Sequence, residues 1–195
     1  MSGIEEDIEH IFIIHRKQDT ERDLTKLLQL KCNHIEVIEP EKQIEDISSY
    51  ICMHTKKIDK RRANISLYYT HMKLLQKIIE EKLNNVLILE DDVIIENGLD
   101  YDKNVMCYVF NSTIWNGRYY ETGCNMYPSY KKTKILYDTL LEYRKVKKNK
   151  FRTIDSELYR CVVKYNLDFK FDNKVIQNKS YKSTLGNNGK KNFIH

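Results

Sequence analysis

The sequence is poor in proline and glycine, with two and six in 195 residues, which excludes a collagen-like, linker-rich or disordered chain. Its five cysteines, Cys32, Cys52, Cys107, Cys124 and Cys161, are odd in number and form no CxxC pair. That argues against a disulfide framework or a cysteine zinc site and for reduced, mostly buried thiols. A catalytic cysteine has no local support. No apolar run reaches the roughly 20 residues of a membrane span. The opening MSGIEEDIEH is acidic where a secretory signal is basic and then apolar. The expectation is a soluble protein on the cytosolic side, without internal repeats.

What is present is an ordinary globular composition, 41% hydrophobic and 31% charged. A chain of this length fits one domain and buries roughly 70% of its unfolded surface, so it needs no staples. Richness in Ile, Lys, Asn and Tyr suits an AT-rich genome, including that of a large DNA virus. The net charge of +5 hides an asymmetry: residues 1–100 hold 14 Lys+Arg and 20 Asp+Glu, residues 101–195 hold 19 and 8, and the halves carry −6 and +11. A basic half beside an acidic site suits a phosphorylated ligand; solvated lysine faces and nucleic acid are the other readings.

The acidic site is the end of VLILEDDVIIE, Val86 to Glu96. An apolar run without polar alternation reads as a strand covered on both faces, as in a parallel sheet between helices. Ligands in open α/β sheets bind at the carboxyl ends of such strands. Glu90, Asp91 and Asp92 crowd that point, and a divalent cation relieves their repulsion. Side-chain alternation puts Glu90 and Asp92 on one side and Asp91 on the other, and oxygen-only ligands favour Mg²⁺ or Mn²⁺. A solvated strand cap is the bland alternative.

Around it, EHIFIIH (9–15) and HIEVI (34–38) read as strands. RKQDTERDLTKLLQL reads as a helix capped by Asp19 or Thr20, with Leu24, Leu27, Leu28 and Leu30 apolar. Arg16, Lys17 and Arg22 fall near the first strand's end, where an anion meets backbone N–H groups. Residues 41–53 read as a short helix and KKIDKRR (56–62) as an exposed connection. Residues 63–83 form the strongest helix, with Leu67, His71, Leu74, Leu75, Ile78 and Ile79 on one stripe. His71 there reads more readily as a satisfied core residue than as a ligand. The order βαβααβ is that of a parallel sheet with right-handed crossovers.

Further along, VMCYVF (105–110) reads as a strand, and the aromatic-rich WNGRYYETGCNMYP (115–128) as packing or as a stacking surface. Residues 131–146 form a helix with Ile135, Leu136, Leu140 and Leu141 inward. Thr153 starts another, with Ile154, Leu158, Val162 and Val163 apolar and Asp155 and Glu157 in its first turn. FKFDNKVIQ supplies one or two short strands, and a polar tail follows.

Several of these segments together resemble glycosyltransferase family 25, which includes lipooligosaccharide and collagen galactosyltransferases. IFIIHRKQDTER is similar to that family's opening strand with spaced arginines. ISLYYTHMKLLQKIIEEKLNNVLILEDDVI resembles its Ser-His helix and Leu-Glu-Asp-Asp strand, the most specific block. YETGCNMYPSYKKTKIL, TIDSEL and VIQNKSYKST resemble its later segments. The chain departs from the pattern at His15, where Asn-Leu is expected, at Thr70, where a serine precedes the histidine, and in a shortened stretch between EDD and Gly123.

The resemblance implies a GT-A type fold, a Rossmann-like three-layer αβα arrangement with a mainly parallel central sheet, residues 1–100 forming the nucleotide-binding half and 101–195 the acceptor-side half. It implies an inverting transfer of a hexose, galactose being one candidate, from a UDP-sugar to a hydroxyl of a glycan or protein. Glu90 and Asp92 then hold Mn²⁺ or Mg²⁺, Asp91 orients ribose or a metal-bound water, Arg16 and Arg22 meet the nucleotide, and Gln177 lines the far wall. Asp155 is the candidate base, against its reading as a helix N-terminal acid. His195 is a candidate to close over the metal, against a disordered terminus. The alternatives are a GT-like chain that binds without catalysis and a basic nucleic-acid-binding protein, which the acidic cluster speaks against.

Overall fold

A computed structural model describes residues 7–41, 58–95, 99–110, 113–115, 118–120, 123–147, 152–173 and 175–177. Its centre is formed by the two most apolar stretches of the sequence. β1 (His10–Ile14) and β3 (Val86–Glu90) pair in parallel, His10 opposite Val86 and Ile14 opposite Glu90. β2 (His34–Ile38) flanks β1, also in parallel.

Alternation along β1 and β3 divides the core in two, because neighbouring strand residues point to opposite faces. Phe12, Ile14, Val86 and Ile88 join one apolar cluster; Ile11, Ile13, Leu87 and Leu89 join the other. The first cluster is covered by three helices, α2 (Ile58–Glu80), α3 (Tyr130–Val146) and α4 (Ile154–Tyr165), which pack on one another. On the second face lie the single-turn α1 (Thr25–Leu28) and the loop residues Leu99, Tyr101 and Val175.

Beyond β3 the sheet continues with β8 (Cys124–Tyr127), β5 (Cys107–Val109) and β9 (Phe169–Phe171), in the order β2-β1-β3-β8-β5-β9. β8 is antiparallel to β3 and to β5, and β5 is parallel to β9, so β8 alone runs against the other five strands. A hairpin of β6 (Thr113–Trp115) and β7 (Arg118–Tyr120) precedes β8. Short β4 (Val93–Ile94) pairs with β10 (Ile176–Gln177).

The turn from α2 into β3 uses Asn85 at φ 49°, where asparagine is among the few side chains that accept the left-handed region. That residue is also a staple: its backbone bonds Glu9 and Pro128, and its amide bonds Glu9 and Tyr101.

Several expectations change. The first helix is one turn long, and its start is held by the Asp23 carboxylate accepting the Thr25 N–H, not by Asp19 or Thr20. α2 begins at Ile58, inside the stretch read as an exposed connection. β8 lies in the aromatic-rich stretch 115–128, to which no strand was assigned. Ile135 and Val163 are 55% and 64% exposed and face outward, while Thr133 and Cys161 take inward positions. The helix expected over 41–53 and His195 lie outside the described residues, apart from Glu41. Cys107, Cys124 and Cys161 are buried and Cys32 is partly exposed; burial pushes all four thiols above the usual range.

Candidate active site

β3 ends at Glu90, and two backbone bonds fix where the acidic residues begin. The Glu90 N–H donates to Gly123 O at 2.7 Å, and the Asp91 N–H donates to Ile14 O at 3.2 Å. The strand end is thereby tied to β1 on one side and to the approach to β8 on the other. Asp91 and Asp92 sit in the turn that follows, so strand alternation stops at Glu90. The expected pairing of Glu90 with Asp92 on one side gives way to a different arrangement.

Asp91 and Asp92 both turn to the loop after β1. Arg22 forms an ion pair with Asp91 through Nη1 and Oδ1, and the same Nη1 stands 3.9 Å from Asp92 Oδ2. His15 Nδ1 lies 2.8 Å from the other Asp91 oxygen. Arg22 and Asp91 side chains are each 5% exposed. A carboxylate taken out of water needs such partners, since an unpaired buried charge is strongly unfavourable.

The loop that delivers Arg22 is itself braced. Arg16 makes a two-pronged bond to Asp19, Nε to Oδ2 at 2.9 Å and Nη2 to Oδ1 at 2.7 Å, and the Arg22 N–H donates to Asp19 O at 3.0 Å. Arg16, expected at the nucleotide, is thus joined to Asp19, and Arg22 to the acidic turn. The bond of His15 to Asp91 and the bracing by Asp19 were not legible in the sequence, because both depend on where the turn after β1 folds back.

Glu90 faces the other way, towards α2. Its Oε1 is 4.0 Å from His71 Nε2, with the His71 side chain 1% and that of Glu90 21% exposed. Among the described residues neither ring nitrogen of His71 has a hydrogen-bond partner. Burial alone pushes the imidazole down to a pKa of about 4, so it is neutral near pH 7.

The structure places Gln177 in β10, paired opposite Val93, the residue after Asp92. Asp155 comes from α4. β9 runs in the same direction as β3, so α4, which precedes β9, starts at the end of the sheet where β3 terminates. α4 also packs on β7, just before Gly123. Asp155 is half-buried and its Oδ1 accepts the Ser156 N–H at 2.7 Å. Nearby Glu157, buried, accepts the Arg152 N–H at 2.9 Å, and desolvation raises its pKa.

Between α3 and α4 a cavity of about 440 Å³ is lined by Tyr143, Lys147, Tyr159, Arg160 and Lys164. Lys147 and Lys164 hold their ammonium groups over the Tyr143 ring, at 5.7 and 5.4 Å. No helix among the described residues is long and apolar enough to cross a membrane.

The fold is that of glycosyltransferases of known structure. A galactosyltransferase, LgtC, solved with donor and acceptor sugar analogues, superposes with a TM-score of 0.50 at 12% identity, over 83% of this chain and 72% of its own. Glycosyltransferase GlyE of Streptococcus pneumoniae superposes with a TM-score of 0.50 at 11% identity, over 83% of this chain but 44% of its own, so this chain spans under half of GlyE. Among curated protein sequences none matches. The family model for glycosyltransferase family 25, described as LPS biosynthesis protein, matches residues 9–193, which include every strand and helix described above. The chain belongs to glycosyltransferase family 25.

Proposed function

We propose that this glycosyltransferase moves a hexose, with galactose the first donor sugar to test, from a UDP-sugar to a hydroxyl of a glycan or protein, inverting the sugar carbon and using Mn²⁺ or Mg²⁺. The observation that carries the reading is the division of labour among the three acids. Asp91 pairs with Arg22 and bonds His15 on the loop side, Asp92 Oδ2 stands 3.9 Å from Arg22 on that same side, and Glu90 Oε1 stands 4.0 Å from His71 on the α2 side.

In this reading a cation at the strand end would be held by Glu90, from the α2 side, and by Asp92, from the loop side. Their oxygens suit a hard divalent ion. Among the described residues no group of three or more His, Cys, Asp and Glu is arranged to hold a metal. Two carboxylates completed by substrate phosphates and water are what Mg²⁺ commonly takes. When bound, the ion neutralises charge gathering on the departing diphosphate.

The chain's own residues do the rest. Arg22 fixes the acidic turn, and Arg16 stiffens the loop that carries Arg22 beside the nucleotide. Asp91, held in one orientation, meets ribose or a metal-bound water, with Gln177 on the far wall. Asp155 accepts the acceptor hydroxyl's proton. Residues 1–100 form the nucleotide half; 101–195 form the acceptor half, where the basic, aromatic cavity between α3 and α4 suits a sugar chain. The test is release of UDP from UDP-sugars in the presence of candidate glycan acceptors, with Mn²⁺ or EDTA. The reading expects release that EDTA abolishes and that Asp92→Asn lacks; release unaffected by both contradicts it.

A further inference from the structure

His71 is out of keeping with the stripe it occupies. Its neighbours on the inner face of α2, Met72, Leu74, Leu75 and Ile78, are buried and apolar. Adjacent Thr70, also buried, is fully engaged: its hydroxyl donates to Ser66 O at 2.8 Å and accepts the Glu41 N–H at 2.9 Å. The His71 side chain is 1% exposed, and among the described residues neither of its nitrogens has a hydrogen-bond partner. A buried polar atom without a partner forfeits its hydration with no return. Leucine or methionine fills similar space without that loss, so packing does not account for a histidine here. Local rules are broken in this way mostly at functional sites.

Among the described residues, the charged group recorded beside the ring is Glu90, whose Oε1 is 4.0 Å from Nε2, about 1 Å beyond hydrogen-bond reach. Glu90 sits on a strand end whose backbone is held by Gly123, so a change in that gap is a matter of the two side chains. We propose that His71 is a positioning residue for Glu90: its Nε2–H closes onto Oε1 when the carboxylate engages a bound nucleotide and cation, holding Glu90 ionised in one rotamer. This rests on the role given to Glu90 above. An unmade hydrogen bond in the empty site becomes a made one in the occupied site, which strengthens ligand binding by the same margin.

The experiment compares thermal unfolding of wild type, His71→Leu and His71→Gln, first without ligand and then with Mn²⁺ and UDP. Without ligand, His71→Leu is expected to unfold at the same or a higher temperature than wild type, since it replaces unpaired polar atoms with apolar volume. With Mn²⁺ and UDP its apparent affinity is expected to fall at least tenfold, and His71→Gln, which keeps an N–H donor, to recover part of that. A ligand-free His71→Leu protein less stable than wild type makes the imidazole a structural element and overturns the proposal. So does a wild-type response to Mn²⁺ and UDP in His71→Leu. A wild type that itself fails to respond overturns the reading of Glu90 first, and the role of His71 with it.

Discussion

Arg22 and Asp91 form an ion pair whose two side chains are each 5% exposed, at the point where β3 gives way to the acidic turn. The pair joins the loop after β1 to the end of β3, and His15 completes it from the same loop. Its burial sets how it responds to substitution. Removing one partner strands the other charge, and Arg22→Ala or Asp91→Ala is expected to lose roughly 3–5 kcal/mol of stability. Making Arg22→Ala and Asp91→Ala together is expected to lose less than the sum of the single changes. Urea unfolding of the four proteins checks this, and additive losses contradict the pairing.

Asp155 separates a catalytic role from a helix-capping one. Its Oδ1 accepts the Ser156 N–H, a bond that asparagine's carbonyl oxygen also makes. Asp155→Asn is therefore expected to keep wild-type stability while kcat falls about 10²- to 10⁴-fold and the KM for the donor holds. Unchanged kcat makes the residue only the N-terminal acid of α4.

The pH dependence of the ligand-free protein follows from His71. Burial lowers its pKa to about 4 from an ordinary value of 6.5, so the unfolded chain binds this proton more readily than the folded one. The stability tied to the neutral ring is fully present above pH 6.5 and is lost as pH falls from there towards 4, by about 3 kcal/mol in all. His71→Leu lacks this titration. The difference between the two proteins is expected to grow over that window, and a constant difference contradicts it.

Core packing gives a control away from the acids. Leu75 is 0% exposed in the cluster under α2, and Leu75→Ala is expected to lose about 2–5 kcal/mol. Urea unfolding measures it. A loss under 1 kcal/mol contradicts the packing of α2 on β1 and β3.

Much of this fold was legible in the sequence, for definite reasons. β1 and β3 are continuous apolar runs, α3 and α4 carry helical periodicity, and β2 was read at its observed bounds. β8 was not legible: CNMY is short, holds a buried Asn125 and sits among aromatics, and only its place between β3 and β5 makes it a strand. At the site, the acids could be read as a cluster at a strand end. Their partition could not. Period-two alternation was carried past Glu90, but the chain turns there, and Arg22 gathers Asp91 and Asp92 together. Contacts between segments distant in sequence, such as His15 with Asp91 and His71 with Glu90, leave no local pattern.

The most direct measurement of the central claim is thermal unfolding of wild type and Asp92→Asn with UDP-galactose and other nucleotide-sugars, each with and without Mn²⁺, because a ligand that binds only the native state raises the midpoint by mass action. The expected result is a rise with a UDP-sugar that needs both the cation and Asp92. A midpoint unmoved by every nucleotide-sugar, or a rise that persists in Asp92→Asn without Mn²⁺, contradicts a cation-dependent donor site at the end of β3.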